Sequence, residues 1–561
     1  MTENDARQTL TGAQIAVRLL ERQGIRQIPG IPGGAILPFY DALSRSQQIR
    51  HILARHEQGA GFMAQGMARA TGEAAACIAT SGPGATNLLT AIADAKLDSI
   101  PLVAITGQVA APMIGTDAFQ EVDTYGLSIP ITKHNYLVGS ARELLEAIPE
   151  AFRIAVSGRP GPVLVDIPKD VQNETIEVDA WPEPGRRDPA PRADADALSE
   201  AAAMIGEARR PMLYLGGGAA QPESAARAVE LAEKANLPTV MSLMALGAMP
   251  ADHPLSLGLL GMHAARCANM ALEECDLLIA AGARFDDRAT GRAAEFCPRA
   301  KIIHIDIDRA ELDKIKAAHV GLYGDAGETL AGLLARIEPQ PRPEWLARIA
   351  ELKEKHGLRA PGLDDPRAPR GLIRAVADCL GDEAIFVADV GQNQMWAAQT
   401  CPLRRPRQWL TSGGLGTMGF GLPAAIGAAL ACPGRTVVCF TGDGGLLMNI
   451  QELATAAEED ANVKLVLLDN AALGLVVQQQ TLFHGGRIFA SEFKTQPDFV
   501  KIAQGFGWRA LDLDAAPDAK AALAEALAAP GPALIRAGID RRAQVLPMVP
   551  PGAANKDMIG D

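Results

Sequence analysis

The 561-residue chain is 48% hydrophobic and carries a net charge of −13, from 53 Lys and Arg against 66 Asp and Glu. That length exceeds what one hydrophobic core holds and predicts about three domains, while the acidic balance, with no basic run interleaved with aromatics, excludes nucleic acid as a partner. The eight cysteines stand singly, without a CxxC pair, and read as reduced core thiols rather than zinc or disulfide sites.

The N-terminus, MTENDARQTL, lacks the basic start and apolar core of a secretory signal, so a cytoplasmic chain is expected. No stretch reaches about 18 consecutive apolar residues, so no membrane span is expected. Short β-type runs ending in glycine or small polar residues then recur: ACIATSGPG from Ala76, PLVAITGQ from Pro101, PVLVDIP from Pro162, MLYLGGG from Met212, DLLIAAGA from Asp276, IIHIDID from Ile302, IFVADVG from Ile385, VVCFTGDGG from Val437 and KLVLLDN from Lys464. Helical segments rich in Ala and Leu separate them. The pattern predicts an α/β fold of repeated βα units around parallel sheets. Proline- and charge-rich stretches, WPEPGRRDPAPRADAD from Trp181 and PQPRPEW from Pro339, read as linkers. Cutting there predicts domains 1–178, 195–338 and 368–545, with a tail 546–561; their similar layouts hint at duplication.

The run VVCFTG ends in Asp443, an acid wedged between glycines. After it Ile450, Leu453, Ala454 and Ala457 fall at helical spacing, and KLVLL resumes as a strand, predicting one βαβ unit. Parallel strands so joined finish on the same sheet edge, which brings Asp443 toward Asn470. A carboxylate, an amide oxygen and backbone carbonyls suit Mg²⁺; the glycines and the following helix N-terminus suit a phosphate. A metal diphosphate would therefore neutralise the acid. A plain capping turn explains GDG alone, but it has no need of Asn470.

With GDG followed by Asn470, the sequence resembles thiamine diphosphate enzymes; DN stands where the family usually has NN. Such a cofactor needs a carboxylate against its aminopyrimidine ring. The resemblance assigns that role to Glu57 in RHEQGAGFMAQGMARATG, where an acid opening a helix otherwise only complements the dipole. More narrowly, the chain is similar nearly end to end to acetohydroxyacid (acetolactate) synthase catalytic subunits. PGGAILPFYDAL from Pro32, TSGPGATN from Thr80, IGTDAFQEVD from Ile114, GRPGPVLVDIPKD from Gly158, LGMHAARCANMA from Leu260, GARFDDRATG from Gly282, HIDIDRAE from His304, GLGTMGFGLPAAIGA from Gly414 and MVPPGA near the end carry the likeness.

The resemblance implies three doubly wound domains binding thiamine diphosphate, Mg²⁺ and FAD, and decarboxylative joining of pyruvate to a second 2-keto acid. Glu57 would activate the cofactor, and Asp443, Asn470 and the Ala472 carbonyl would hold Mg²⁺. Met418 would bend the cofactor, Gly416 would meet its pyrimidine, and Gly391, Gln392, Gly444 and Gly445 would contact its diphosphate. FAD would lie on Gly216, Gly217, Gly218, Leu260, Gly261, Met262, His263, Gly282, Arg284, Arg288, Asp306, Ile307, Asp325 and Ala326, with Arg159 also at the cofactor. Phe119, Gln120, Lys169 and Arg284 would serve catalysis at the substrate mouth; Arg284 suits a carboxylate, although an ion pair with Asp286 or Asp287 would also account for it. The family's flavin does no net redox chemistry. Each site would form across two subunits of a homodimer or homotetramer, with a regulatory small subunit as a further partner.

One segment departs. Typical members read LGMVRQWQ where this chain reads LGLVVQQQ from Leu473, so Val477 and Gln479 replace an arginine and a tryptophan of the acceptor pocket. Gly445 stands where serine is frequent, and Leu546 where an aromatic is. Little preference for 2-ketobutyrate over pyruvate is expected, and a related carboligase using another aldehyde or ketone is the alternative. Glyoxylate carboligase lacks the acid at Glu57; a flavin-dependent pyruvate oxidase and a non-catalytic homologue fit the motifs less well.

Overall fold

The computed structural model describes residues 8–359 and 361–560; the first seven residues of the polar N-terminal stretch lie outside it. Three six-stranded sheets, parallel throughout, organise the chain. The first runs, in spatial order, Arg50–Leu53, Gln27–Gly30, Ala75–Ala79, Leu102–Gln108, Pro162–Pro168, His134–Leu137. The third runs Trp409–Thr411, Ile385–Ala388, Val437–Gly442, Val463–Asp469, Ala533–Gly538, Arg509–Asp512. Numbered along the chain within each sheet, both read 2-1-3-4-6-5. The middle sheet, Ser256–Leu259, Thr239–Met241, Pro211–Leu215, Leu277–Ala281, Lys301–Asp306, Val320–Tyr323, reads 3-2-1-4-5-6, the dinucleotide-binding order. The layouts that look alike along the chain thus share one strand order in the outer sheets and differ in the middle one.

All nine runs read from the sequence are strands, and they lie mostly at sheet centres, where burial on both faces makes a strand a continuous apolar run. The missed strands, such as Arg50–Leu53 with burial on one face, lie mostly toward the edges. The proline-rich stretches differ from each other. Residues 181–194 have no regular structure, whereas PQPRPEW is packed: the Arg342 guanidinium donates to the Ile205 carbonyl at 2.5 Å, and Trp345 Nε1 donates to the Pro211 carbonyl at 3.0 Å. The tail also packs, with Val549 donating its amide to the Met262 carbonyl at 2.8 Å.

The outer sheets meet through equivalent helices, Glu57–Thr71 and Gly421–Ala431, each following the second strand of its sheet. A Cβ on Gly66 would lie 2.7 Å from the Ala424 carbonyl carbon, and one on Gly427 would lie 2.6 Å from that of Met63. Residue 66 facing 424 and 63 facing 427 makes the pair antiparallel. Glycine inside a helix costs about 1 kcal/mol, and here it admits backbone-on-backbone contact that no side chain would allow. Phe62 and Phe420 pack edge to face beside it, 5.4 Å between ring centroids. Among the described residues, no helix is long and apolar enough to cross a membrane.

Candidate active site

In the third sheet Gly442 pairs with Leu468, so the residues that follow leave neighbouring strands on one edge, beside the reversal in strand order that falls between Ile385–Ala388 and Val437–Gly442. Asp443 and Asn470 converge there. Asp443 is buried, 1% exposed, and burial pushes its carboxyl up to about 6. Its hydrogen bonds come from neutral donors, Gln496 Nε2 at 2.8 Å and its neighbour's Gly444 amide at 2.9 Å. Among the described residues no cation pairs with it, whereas the adjacent Asp469 is held by Arg536 at 2.8 Å. Asn470 Oδ1 accepts the Ala472 amide at 3.1 Å, and Ala471 turns the chain at φ +54°. One buried, unpaired carboxylate beside an amide oxygen and a carbonyl is an oxygen donor set that fits Mg²⁺.

The turn after Asp443 is shorter than the sequence suggests. Instead of one helix there are two, Asp443–Leu446 and Glu452–Glu458. The break lets Asn449 Nδ2 donate to the Gly419 carbonyl at 2.7 Å and to Gln58 Oε1 at 3.3 Å, contacts that a continuous helix would not direct. A Cβ on Gly444 would meet Leu473 Cδ2 at 2.7 Å and Met418 Cε at 3.5 Å, so Met418 reaches the Asp443 turn. Gly391, at φ +139°, opens the helix Gln392–Thr400 in a region only glycine adopts freely. The Gln392 side chain is buried and engaged, donating to Gln478 Oε1 at 3.0 Å and the Ala543 carbonyl at 2.7 Å. Gly445 lies against Asp389, whose carboxylate takes the Val390 and Gly419 amides at 2.7 and 2.9 Å and is pushed up to about 6 by burial.

The GLGTMG loop is fastened to the first sheet's helices by a buried ionic cluster. Arg69 binds Asp94 at 3.0 Å, Asp98 at 2.8 Å and the Thr411 carbonyl at 2.9 Å. Asp98 then accepts the Gly413 and Gly414 amides at 3.0 and 2.7 Å, and Asp94 accepts the Ser412 and Thr417 hydroxyls. A buried pair endures when its remaining lone pairs are satisfied in this way. Gly416 stands clear at φ +71°, with nothing within 4 Å of a Cβ there.

Glu57 opens its helix after His56, whose Nδ1 accepts the Gln58 amide at 3.1 Å. Its carboxylate accepts Asn87 Nδ2 at 2.9 Å, and the SGPG turn lies against it through Gly84. Gln120, at φ +59°, sits with its backbone on Gly82 of that same turn. Phe119 beside it is 88% exposed. Lys169 is exposed at the start of the helix Lys169–Asn173, whose Asp170 accepts the Ala111 amide at 2.9 Å and so holds the root of the Phe119 loop.

In the middle sheet, Gly216 and Gly218 lie backbone-to-backbone on Gly282, with the Gly218 amide donating to the Gly282 carbonyl at 3.1 Å. These turns end the first and fourth strands, flanking the reversal in strand order where a dinucleotide binds. Met262 donates to the Arg288 carbonyl at 2.8 Å, joining Leu260, Gly261 and Met262 to the GARFDDR segment. Burial pulls His263 down to about 4, and among the described residues its Nδ1 is a buried polar atom without a hydrogen-bond partner. Asp306 is buried next to Ile307 and pushed up to about 6, while Asp325 caps the helix that Ala326 begins. The glycine turns at the reversal and the orphaned nitrogen fit a flavin dinucleotide. Arg159 binds Glu311 at 2.6 Å, tying the first sheet's half to the middle one. Arg284 is half-buried; Asp286 caps the helix Asp287–Thr290 and Asp287 pairs with Arg288, so among the described residues neither forms a salt bridge with Arg284.

Val477 and Gln479 lie on the helix Gly474–Phe483 that follows Asn470. Val477 is buried and Gln479 half-buried, as expected for positions about 200° apart around a helix. Only Gln479 therefore offers a polar end to solvent space. Sequence reasoning missed Asn87, Asp389, Gln496 and the Arg69 cluster, because each acts through a partner far along the chain.

Three family models match the chain. They are the thiamine pyrophosphate enzyme N-terminal TPP binding domain over residues 10–127, the central domain over 198–333 and the C-terminal TPP binding domain over 389–537. The chain is 60% identical over 555 residues to the acetolactate synthase isozyme 1 large subunit of Escherichia coli K12, covering 99% of this chain and 98% of that one. It is 47% identical over 551 residues to the isozyme 2 large subunit of the same strain, covering 98% and 99%. Against the acetolactate synthase large subunit of Corynebacterium glutamicum it is 46% identical over 570 residues, covering 99% and 90%.

Proposed function

This chain belongs to the acetolactate synthase large-subunit family of thiamine diphosphate enzymes, and we propose that it joins the two-carbon unit left by decarboxylation of pyruvate to a second 2-keto acid. With pyruvate as acceptor the product is acetolactate. The observation that carries this reading is the convergence of Asp443, Asn470 and Ala472 on one sheet edge, an oxygen set for Mg²⁺ beside Gly444 and Met418. Bound thiamine diphosphate supplies the electron sink for decarboxylation and carbon–carbon bond formation.

The chain's own residues bind, orient and exclude water around that chemistry. Asp443, Asn470 and the Ala472 carbonyl would hold Mg²⁺, and Gly391, Gly444 and Gly445 would offer amides to the diphosphate. Met418 would supply an apolar wall and Gly416 open backbone for the pyrimidine. Glu57, oriented by Asn87, would hold the proton at the pyrimidine edge. Gln120 and Phe119 would border the reacting carbons, Lys169 would stand at the mouth, and the unpaired Arg284 would grip the acceptor carboxylate. FAD would occupy the middle sheet's glycine turns; no redox step is assigned to it.

A second copy of the chain completes the site in this reading. Support comes from the anchoring of the GLGTMG loop by Arg69, which stands 12 residues beyond Glu57, about 18 Å along their shared helix. The start of the loop, at Gly414, is thus rooted away from the acid of its own chain, while its end, Gly419, is linked through Asn449 to Gln58. We propose a homodimer or homotetramer in the cytoplasm, with a small regulatory subunit as partner of a chain whose relatives are large subunits.

The test supplies thiamine diphosphate, Mg²⁺, FAD and pyruvate, then repeats the reaction with equimolar 2-ketobutyrate, quantifying CO₂, acetolactate and acetohydroxybutyrate. Acetolactate dominating both reactions is expected, because Gln479 replaces an aromatic wall. CO₂ without either product points to another aldehyde or ketone acceptor, and absence of CO₂ overturns the pyruvate reading.

A further inference from the structure

We infer that Glu452, which belongs to the metal-binding half of the chain, is the positioning residue for Glu57. This rests on the reading of Glu57 as the acid that acts on the cofactor pyrimidine. Glu452 is fully buried against the start of the Glu57 helix. The Arg55 amide donates to both of its carboxylate oxygens, at 3.1 and 3.2 Å, and the His56 amide also faces it. These are the two peptide groups immediately before Glu57. Thr455 Oγ1 donates to Glu452 Oε2 at 2.7 Å, which locks the side chain on its own helix.

Two carboxylates therefore stand at one helix N-terminus with separate tasks. Glu57 turns to Asn87, while Glu452 fixes the backbone from which Glu57 projects. The fit is close: a Cβ on Gly59 would lie 2.8 Å from the Glu452 carboxylate carbon. Gly59 is a helical residue without a positive φ, so its lack of a side chain is explained by the acid it faces rather than by backbone conformation. Glu452 arrives from the short helix that the break after Leu446 sets in place. Any shift of that segment would move the start of the Glu57 helix.

The test compares holoenzymes of wild type, Glu452→Ala, Glu452→Gln, Gly59→Ala and Glu57→Gln. Three quantities are read: exchange of the cofactor C2 proton into deuterated solvent by acid-quench NMR, the Kd for thiamine diphosphate, and amide exchange of residues 54–60 in cofactor-free protein by mass spectrometry. Glu452→Ala and Gly59→Ala are expected to slow C2 exchange by about 10- to 100-fold, the cost of a displacement near 1 Å. Their Kd should stay within about threefold, separating orientation from binding, and their 54–60 amides should exchange faster. Glu452→Gln keeps an acceptor oxygen and should restore C2 exchange to within about threefold of wild type. If Glu452→Ala fails to fold, Gly59→Ala decides, since alanine is favoured in a helix. C2 exchange at the wild-type rate in the alanine variants, or damage in Glu452→Gln equal to that in Glu452→Ala, overturns the positioning role. Wild-type exchange in Glu57→Gln overturns the reading of Glu57 and, with it, this inference.

Discussion

The first and third sheets share one strand order, yet corresponding turns carry opposite kinds of equipment. After the second strand, the first sheet has Glu57 at a helix N-terminus, while the third has the GLGTMG loop before its equivalent helix. After the third strand, the first sheet has the uncharged turn SGPG and the third has GDGG, with Asp443 buried and unpaired. After the fourth, the first sheet continues into the exposed Phe119 loop and the third into Asn470 and the helix bearing Gln479. A common framework thus presents one acid from each half, which the proposed function reads as a proton-handling Glu57 and a metal-holding Asp443. The lesson is that topology selects where a ligand can sit, whereas single residues at equivalent turns select what is done there.

This division can be broken most sharply at the two acids. Glu57→Gln should lower the rate of CO₂ release from pyruvate by about 10²- to 10⁴-fold, the usual contribution of positioned proton transfer, while thiamine diphosphate binding persists. Asp443→Asn should do the converse, weakening Mg²⁺ by at least about 100-fold, more than losses at outer-shell partners, as titrated on EDTA-stripped protein. If both variants lose only binding, the two halves do not divide the labour. The packing that joins the halves is tested by Gly66→Ala, which should destabilise the protein by about 1–3 kcal/mol through overpacking. Thermal unfolding reads that change, and an unchanged midpoint would show the glycine contact to be dispensable.

Smaller effects sharpen the contrast between fourth-strand turns. Gln479→Trp should raise preference for 2-ketobutyrate over pyruvate by about tenfold, the scale of one methylene in an apolar pocket, as measured by product ratio in competition. Phe119→Ala on the corresponding loop should leave that ratio unchanged. The smallest expected effect concerns Asp166 in the first sheet, which accepts from Thr106 at 2.7 Å and Gln108 at 3.0 Å. Burial pushes its carboxyl up to about 7, above its unfolded value of 3.8. The folded protein then keeps a proton that the unfolded chain has lost, so this contribution is complete below the unfolded value and declines as pH rises through 7. Relative to Asp166→Asn, wild type should lose about 1 kcal/mol between pH 6 and 7, read as a difference in denaturant midpoints.

Much of this was legible because the chemistry is local. Asp443 sits between glycines at the end of an apolar run, and Asn470 ends the next one, so their convergence follows from parallel pairing alone. The central strands declared themselves by continuous burial. The edge strands did not, since short half-exposed segments such as Arg50–Leu53 lack that signal. The single helix expected after GDGG also proved to be two, because Asn449 is drawn to the Gly419 carbonyl and Glu452 to the Arg55 amide. Neither partner lies near in the chain.

The α/β class, the nine strands at or near the sheet centres and the convergence of Asp443 with Asn470 were therefore determined by sequence alone, through periodicity and the fixed geometry of a βα unit. Only the tertiary structure decided that two sheets share an order and the third does not. It alone joined Arg69 to the GLGTMG loop, Gly66 to the Ala424 carbonyl and Glu452 to the start of the Glu57 helix. Those contacts span more than 300 residues, and nothing in local propensity encodes which buried acid will meet which backbone amide. That choice is made when the halves dock, where an unmatched polar group would carry its full desolvation cost.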